Sequence, residues 1–242
     1  MATDVLTREQ ALTRVSGASL RHEVRLGEDD GHPALLVDGI VQSIAPESAL
    51  RIGRYWAAMV PDRAPERALI LGLGGGTLAN LLSLKWKQAE IVGVDSSEDV
   101  LEMARAAGWL DVERLEVVQA DAFDWVKACR QRFDYVAIDL YHGERIPRRV
   151  FGRPFLRDLC RIMTRYGHLA VNLERAYGQH AQIARLEEFF VIRKMITTRG
   201  NIVLHALCDV HRHDPSDPEA EPCCPECCDC SVTIRKPALK GY

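Results

Sequence analysis

The sequence predicts an α/β fold with a doubly wound parallel sheet, and three observations support this prediction. Short apolar runs alternate with helical segments between about residues 67 and 208, as in repeated βαβ units. The stretch Ala68-Leu-Ile-Leu-Gly-Leu-Gly-Gly-Gly-Thr77 combines an apolar run with a glycine turn, which is typical of a strand buried on both faces. Near the end, residues 189–197 and 201–207 flank Arg-Gly-Asn and indicate an antiparallel hairpin.

The predicted elements of this sheet follow from the same alternation. Parallel strands are predicted at residues 68–72, 90–95, 115–119, 135–139 and 169–173. Helices are predicted at residues 77–86, 97–107 and 155–164. Ser96-Ser-Glu-Asp99 gives the second of these helices cap residues followed by acids in its first turn.

A smaller N-terminal region precedes the sheet. Runs at residues 20–26, 34–38 and 40–44 read as strands, and the Asp38-Gly39 pair between the last two is a strong hairpin signal. Pro46 is suited to the first turn of a helix that we expect to continue to Met59. The predicted organisation is an N-terminal helix and β-hairpin region at 1–65, a nucleoside-binding domain at 66–209 and a tail at 210–242.

Composition and charge are ordinary for a soluble globular protein. The 242 residues carry a net charge of −3, with 47% hydrophobic and 27% charged residues. Such a charge gives no global attraction to nucleic acid or to an anionic membrane. No apolar run approaches the length of a membrane span, and the N-terminus lacks a signal-peptide pattern. We therefore expect a cytoplasmic protein.

The cysteines fall into two groups. Cys129, Cys160 and Cys208 are scattered and are predicted to be core residues, whereas five cysteines crowd into a polar, proline-rich tail that we predict to be disordered. In a cytosolic chain such a cluster favours metal binding or redox chemistry over disulfides. A soft ion, zinc or copper(I), would find thiolates there, and His211 and His213 nearby. The candidate ligands are Cys223, Cys224, Cys227, Cys228 and Cys230.

The glycine turn predicts a nucleoside site. The dinucleotide fingerprint G-x-G-x-x-G would need glycine where the chain has Thr77. Gly72, Gly74 and Gly76 instead form G-x-G-x-G, which is common in enzymes that bind S-adenosylmethionine or its relatives. A nicotinamide or flavin cofactor, and a turn that binds nothing, stay open. Asp95 ends the next strand, where a carboxylate accepts hydrogen bonds from ribose hydroxyls.

The remaining site candidates follow the other strands at their carboxyl ends, where doubly wound sheets bind ligands. A carboxylate at Asp121 can accept a hydrogen bond from an adenine amino group. Asp139 ends an apolar strand, and desolvation there suits it to accept a proton. His142 is a second candidate for proton transfer. The other candidates at this edge are Ala122 for the nucleoside, Tyr141 and Glu174 for the substrate, and Asn172.

These residues together resemble the spermidine synthase family of aminopropyltransferases and their relatives, over about residues 35–207. The resemblance implies a class I methyltransferase-like, Rossmann-like sheet with a C-terminal antiparallel hairpin and a small N-terminal β-hairpin region. It implies nucleoside contacts from Gln42, from the glycines at 72–76, and from Asp95 and Asp121. Asp139 matches the first aspartate of the family's Asp-Ser-x-Asp motif, which implies a catalytic base. S-adenosylmethionine or its decarboxylated form, a small-molecule acceptor and a homodimer are implied as well.

The chain departs from the family at three positions. The family has an aspartate where this chain has Gly75, a second loop aspartate where it has His142, and a tyrosine in the helix after the hairpin near Leu50. Each of the family's residues at these positions suits a polyamine cation. Their absence favours methyl transfer slightly over aminopropyl transfer, to a small amine or thiol.

Two other functions stay open. One is aminopropyl transfer to a polyamine. The other is a soft-metal-binding protein or a non-catalytic paralogue that uses the cysteine-rich tail.

Overall fold

The computed structural model describes residues 22–143, 145–175 and 179–208. In these ranges the strands are β1 (Val24–Asp29), β2 (His32–Val37), β3 (Ile40–Ile44), β4 (Arg67–Leu71), β5 (Glu90–Asp95), β6 (Leu115–Gln119), β7 (Phe133–Ile138), β8 (Met163–Glu174), β9 (Phe190–Thr197) and β10 (Asn201–Cys208). The helices are α1 (Leu50–Gly53), α2 (Tyr55–Met59), α3 (Thr77–Lys85), α4 (Glu98–Ala106), α5 (Ala122–Ala128), α6 (Arg153–Ile162) and α7 (Gln179–Glu187), with a 3-10 turn at Arg148–Phe151.

The larger sheet has seven strands among the described residues, in the order β6-β5-β4-β7-β8-β10-β9. Strands β4 to β8 pair in parallel, and β10 pairs antiparallel with both β8 and β9. The predicted doubly wound sheet and its C-terminal hairpin are therefore confirmed. The chain order reverses between β4 and β7, and the carboxyl ends of these strands border the crevice at this switch point.

The central strands are apolar on both faces because helices cover both sides. In β4, Ala68 to Leu71 are all fully buried. Leu69 and Leu71 pack in the core that includes α6, whereas Ala68 and Ile70 pack in the core that includes α3 and the N-terminal strands. The scattered cysteines Cys129, Cys160 and Cys208 are buried, as predicted.

The N-terminal strands form the predicted hairpin as part of a three-stranded antiparallel sheet in the described part of the chain. Asp38 and Gly39 both have positive φ, 50° and 80°, as a type I′ turn requires. The predicted first strand starts at Val24, and residues 20 and 21 lie outside the described residues.

The predicted single helix from Pro46 to Met59 is wrong. The structure has α1 and α2 instead, separated at Arg54, whose φ and ψ of −102° and 172° are extended. The Arg54 guanidinium forms ion pairs with Asp29 and Asp30 at the end of β1, and this tertiary contact accompanies the break in the helix.

The predicted tail at 210–242 lies outside the described residues, and none of the described helices is long and apolar enough to cross a membrane.

Two hydroxyl groups attach β3 to the glycine turn. Thr77 Oγ1 accepts a hydrogen bond from Ile44 N at 2.9 Å and donates one to Ile44 O at 3.1 Å. Ser43 Oγ accepts a hydrogen bond from Gly75 N at 2.7 Å. All of these groups are buried, so the hairpin and the glycine turn satisfy each other's polar atoms.

Replacing Thr77 with valine should loosen this attachment. Thr77→Val keeps the shape but leaves the Ile44 N–H and carbonyl buried without partners, which costs about 1–3 kcal/mol. We expect that loss in the free energy of unfolding measured by urea denaturation. The exposed Thr197→Val is the matched control, and equal stabilities of the two variants would show that the hydroxyl does not hold the hairpin.

Candidate active site

A cleft of about 1390 Å³ lies at the carboxyl edge of the larger sheet. Residues of the N-terminal hairpin and of α1 and α2 line one side, and the ends of β4, β5, β7 and β8 line the other. Its volume exceeds the roughly 300–1,000 Å³ of a typical small-molecule site, so two reactants fit. The cleft brings together eleven of the predicted residues: Gln42, Gly72, Gly74, Asp95, Asp121, Ala122, Asp139, Tyr141, His142, Asn172 and Glu174.

Gly76 has a different position from the other predicted glycines. It precedes α3 with a left-handed φ of 86° and is not among the cleft-lining residues of the described chain. A Cβ at this position would lie 2.7 Å from a methyl carbon of Leu110. The turn into the helix and the packing against Leu110 therefore explain why this position is a glycine.

The glycine turn and Asp95 form one hydrogen-bonded unit at the ends of β4 and β5. The Asp95 carboxylate accepts hydrogen bonds from Gly74 N at 2.8 Å and from Ser97 N at 3.0 Å. Burial raises the pKa of Asp95, and the backbone donors, Ser97 first, act against that rise. The carboxylate is thus fixed in orientation where it faces the cleft.

Asp121 caps α5 at the end of β6. Its Oδ1 accepts hydrogen bonds from Phe123 N at 2.9 Å and Asp124 N at 3.1 Å. Its Oδ2 lies 4.0 Å from the guanidinium of Arg149, which stacks 4.2 Å above the Phe123 ring centre. One carboxylate oxygen therefore serves the helix, and the other lies near the Arg149 guanidinium.

Asp139 follows β7 at the floor of the cleft and contacts two other segments. Its carboxylate accepts hydrogen bonds from the Tyr55 hydroxyl at 3.0 Å and from the Asn172 amide at 2.8 Å. Burial raises the pKa of Asp139 to about 6, and hydrogen bonds from Asn172, Tyr55 and Trp56 counter part of that rise. Burial and the Asp139 charge raise the pKa of Tyr55 well above its ordinary value, so Tyr55 acts as a donor.

Tyr55 is the main residue that the sequence analysis missed. The resemblance places the family's tyrosine near Leu50, whereas in the structure α2 brings Tyr55 to Asp139. The break at Arg54 sets the orientation of α2, and a contact across 84 positions of sequence leaves no local signal. The adjacent aromatic pair Tyr55 and Trp56, with rings 4.6 Å apart, is the one cue the sequence offers.

The side-chain oxygen of Asn172 is available to a ligand. Its side chain is fully buried, and its Oδ1 has no hydrogen-bond partner within the described residues. Because the amide nitrogen is committed to Asp139, the free oxygen can accept a hydrogen bond from a bound ligand.

The residues after Asp139 also line the cleft. The Tyr141 hydroxyl donates to Asn172 O at 3.3 Å and accepts from the Asn201 amide at 3.5 Å. It therefore links β7, β8 and β10, and burial raises its pKa. His142 is exposed, and its ring stands edge-on to that of His22 with centres 6.4 Å apart.

Gly75, where the resemblance places an aspartate, has no room for a side chain. A Cβ there would lie 2.8 Å from Ser43 Cβ and 3.3 Å from the Trp109 ring. A carboxylate at this position would therefore require the hairpin to move.

The predicted metal ligands, the five tail cysteines together with His211 and His213, lie outside the described residues. Within the ranges that are described, no group of three or more histidine, cysteine or acidic side chains is arranged to hold a metal ion.

Comparisons with known proteins find relatives in two kinds of transferase. A methyltransferase domain family matches residues 68–165. The polyamine aminopropyltransferase of Neisseria meningitidis is 25% identical over 189 residues, which cover 76% of this chain and 71% of that protein. The trans-aconitate 2-methyltransferase of an Azoarcus species is 31% identical over 130 residues, 53% of this chain and 47% of that protein.

A solved structure shows the same fold. The probable spermidine synthase from Corynebacterium glutamicum superposes with a TM-score of 0.62 over 81% of each chain, at 19% identity. At this identity the likeness concerns the architecture alone.

The raised pKa of Asp139 predicts a stability effect that needs no ligand. Because the folded pKa of about 6 lies above the ordinary aspartate pKa of 3.8, stability falls as pH rises from about 4 to 6 and this carboxylate ionises. The full shift corresponds to roughly 3 kcal/mol, and water in the cleft reduces it. Asp139→Asn should therefore stabilise the protein by about 1–2 kcal/mol at pH 7.

The measurement is urea denaturation of Asp139→Asn and wild type at pH 7 and pH 4. The gain should shrink toward zero at pH 4, where both proteins are neutral at this position. The exposed Asp111→Asn serves as control. A gain that is the same at both pH values would contradict a raised pKa.

Proposed function

We propose that this chain, a spermidine synthase-like member of the class I S-adenosylmethionine-dependent methyltransferase fold, transfers a methyl group from S-adenosylmethionine to a small nucleophile. Transfer of an aminopropyl group from the decarboxylated donor is the alternative. The observation that carries the proposal is Asp139, a desolvated carboxylate held by Tyr55 and Asn172 in a cleft that also contains the nucleoside-binding candidates.

The residues at the glycine turn fit the donor. Asp95 has the position and fixed orientation to accept hydrogen bonds from ribose hydroxyls. Gly72 and Gly74, with φ of 89° and 55°, keep the turn free of side chains and allow close approach. Asp121 Oδ2 and the peptide of Ala122 face the predicted adenine position, and Gln42 lines the hairpin side.

S-adenosylmethionine, when bound, supplies a carbon made electrophilic by its sulfonium. The work left to the protein is to orient the acceptor and remove its proton. With a pKa of about 6, Asp139 is largely ionised at neutral pH and is a stronger base than an exposed aspartate. Tyr55 and Asn172 fix its two oxygens, and the free Oδ1 of Asn172 accepts a second hydrogen of the acceptor.

The preference for methyl transfer rests on the lack of an acid at position 75. Ser43 and Trp109 occupy the space that a carboxylate there would need, so the cleft lacks one anchor for the cationic aminopropyl group. Tyr55 at Asp139 favours the alternative, since the resemblance associates such a tyrosine with polyamines. The names of the relatives support both reactions, aminopropyl transfer for the Neisseria protein and methyl transfer for the Azoarcus protein.

Donor choice tests the proposal directly. In calorimetric titrations we expect S-adenosylmethionine to bind at least about tenfold more tightly than its decarboxylated form. Asp95→Asn should weaken its binding about 10- to 100-fold, because a hydrogen bond to a charged group is lost. Asp99→Asn, an exposed acid outside the cleft lining, is the control.

Each other outcome has a distinct meaning. Preference for the decarboxylated donor would establish the aminopropyl reading. Failure of both donors to bind would overturn the proposal.

The hydrogen bond from Tyr55 predicts how the pKa of Asp139 changes when this donor is removed. Because Tyr55 donates a hydrogen bond that favours the ionised form, Tyr55→Phe should raise the pKa of Asp139 above its value of about 6. Carbon-detected NMR of the labelled carboxyl group would measure the shift, with the exposed Tyr166→Phe as control. An unchanged or lower pKa in Tyr55→Phe would contradict the contact.

A further inference from the structure

The far end of the cleft, beyond Asp139, carries charged side chains that have no role in the proposed function. The end of β8 and the turn between β9 and β10 contribute its charged side chains, which are Glu174, Arg175 and Arg199. We call this group the mouth cluster. It contains two guanidinium groups and one carboxylate.

Backbone hydrogen bonds hold the mouth cluster in place. Glu174 pairs with Asn201 in the register of β8 and β10, and Arg175 N donates to Gly200 O at 3.1 Å. Within the turn, Thr198 N donates to Asn201 O at 2.9 Å. Arg175 and Arg199 therefore belong to two segments that are joined by a backbone hydrogen bond at Gly200, the residue after Arg199.

The two arginines differ from the other arginines of the cleft. Arg54 pairs with Asp29 and Asp30, and Arg149 lies near Asp121 and stacks on Phe123. In contrast, neither Arg175 nor Arg199 forms an ion pair within the described residues.

The basic stretch at 145–153, which contains four arginines, does not supply this cluster. Arg153 pairs with Glu188 outside the cleft, and the Arg149 guanidinium lies near the Asp121 carboxylate. The free positive charge of the described cleft is instead on Arg175 and Arg199.

We propose that the acceptor carries an anionic group, a carboxylate or a phosphate, that Arg175 and Arg199 bind at the mouth of the cleft. The proposal rests on the proposed function, because it places the acceptor opposite the donor across Asp139. Guanidinium groups bind carboxylates and phosphates through paired N–H donors, and Arg175 and Arg199 offer two such groups beside the single carboxylate of Glu174. A diamine would instead face two like charges.

The test uses the full-length protein saturated with S-adenosylhomocysteine, so that the donor end is occupied. Succinate, inorganic phosphate and 1,4-diaminobutane are titrated separately by calorimetry at constant ionic strength. We expect saturable binding of an anion and none of the diamine. Succinate binding without phosphate identifies a carboxylate acceptor, and the reverse identifies a phosphate acceptor.

Variants locate the binding. Arg175→Gln and Arg199→Gln should each weaken the anion about tenfold, whereas Arg193→Gln, an exposed arginine of β9 outside the cleft lining, should leave it unchanged. The affinity for S-adenosylhomocysteine should stay the same in all three variants, which shows that they fold and keep the donor end.

The failures can be told apart. If S-adenosylhomocysteine binds but neither anion does, or if the diamine binds in their place, the inference is overturned and the proposed function stands. Anion binding that is unaffected by both cluster variants also overturns the inference. If S-adenosylhomocysteine does not bind to the wild type, the proposed function fails and the inference fails with it.

Discussion

The close approach of β4 to β7 at their carboxyl ends sets the geometry of the cleft. A Cβ at Gly72 would lie 2.2 Å from the carbonyl oxygen of Asp139, and Asp139 N donates to Leu71 O at 2.8 Å. Any side chain at position 72 would separate the strands or turn Asp139 away. The glycine turn and the proposed base are therefore products of one packing constraint, and Gly74 N extends it to Asp95 on the neighbouring strand.

The N-terminal region contributes a hydrogen-bond donor to the site. The buried carboxylate of Asp139 needs donors to offset its lost hydration, and one of them, Tyr55, comes from α2 outside the parallel sheet. That helix follows the hairpin, which Ser43 and Thr77 attach to the glycine turn through buried hydrogen bonds. The same contact fills the space beside Gly75. Attachment of the hairpin and exclusion of an acid at position 75 thus have a single cause.

The sequence predicts the sheet well because its signals are local. The strands at 90–95 and 115–119 are confirmed to the residue, since each apolar run ends at polar or turn-forming residues. The helix after Pro46 is not predictable in this way, because Arg54 leaves the helical conformation where it pairs with Asp29 across the fold. Tyr55 is missed for the same reason, and α5 was not predicted because its cap, Asp121, was interpreted only as a ligand-binding acid.

The two ends of the cleft differ in how freely their side chains can change. At the donor end, Asp95 and Asp121 accept backbone hydrogen bonds, so replacing either disturbs the loop that presents it. At the mouth, Arg175 N donates to Gly200 O beside Arg199, and the side chains of the two arginines serve no described ion pair. Substitution there alters the charge offered to an acceptor while leaving the donor end intact. A change of side chain at the mouth therefore disturbs the surrounding fold less than a change at Asp95 or Asp121 does.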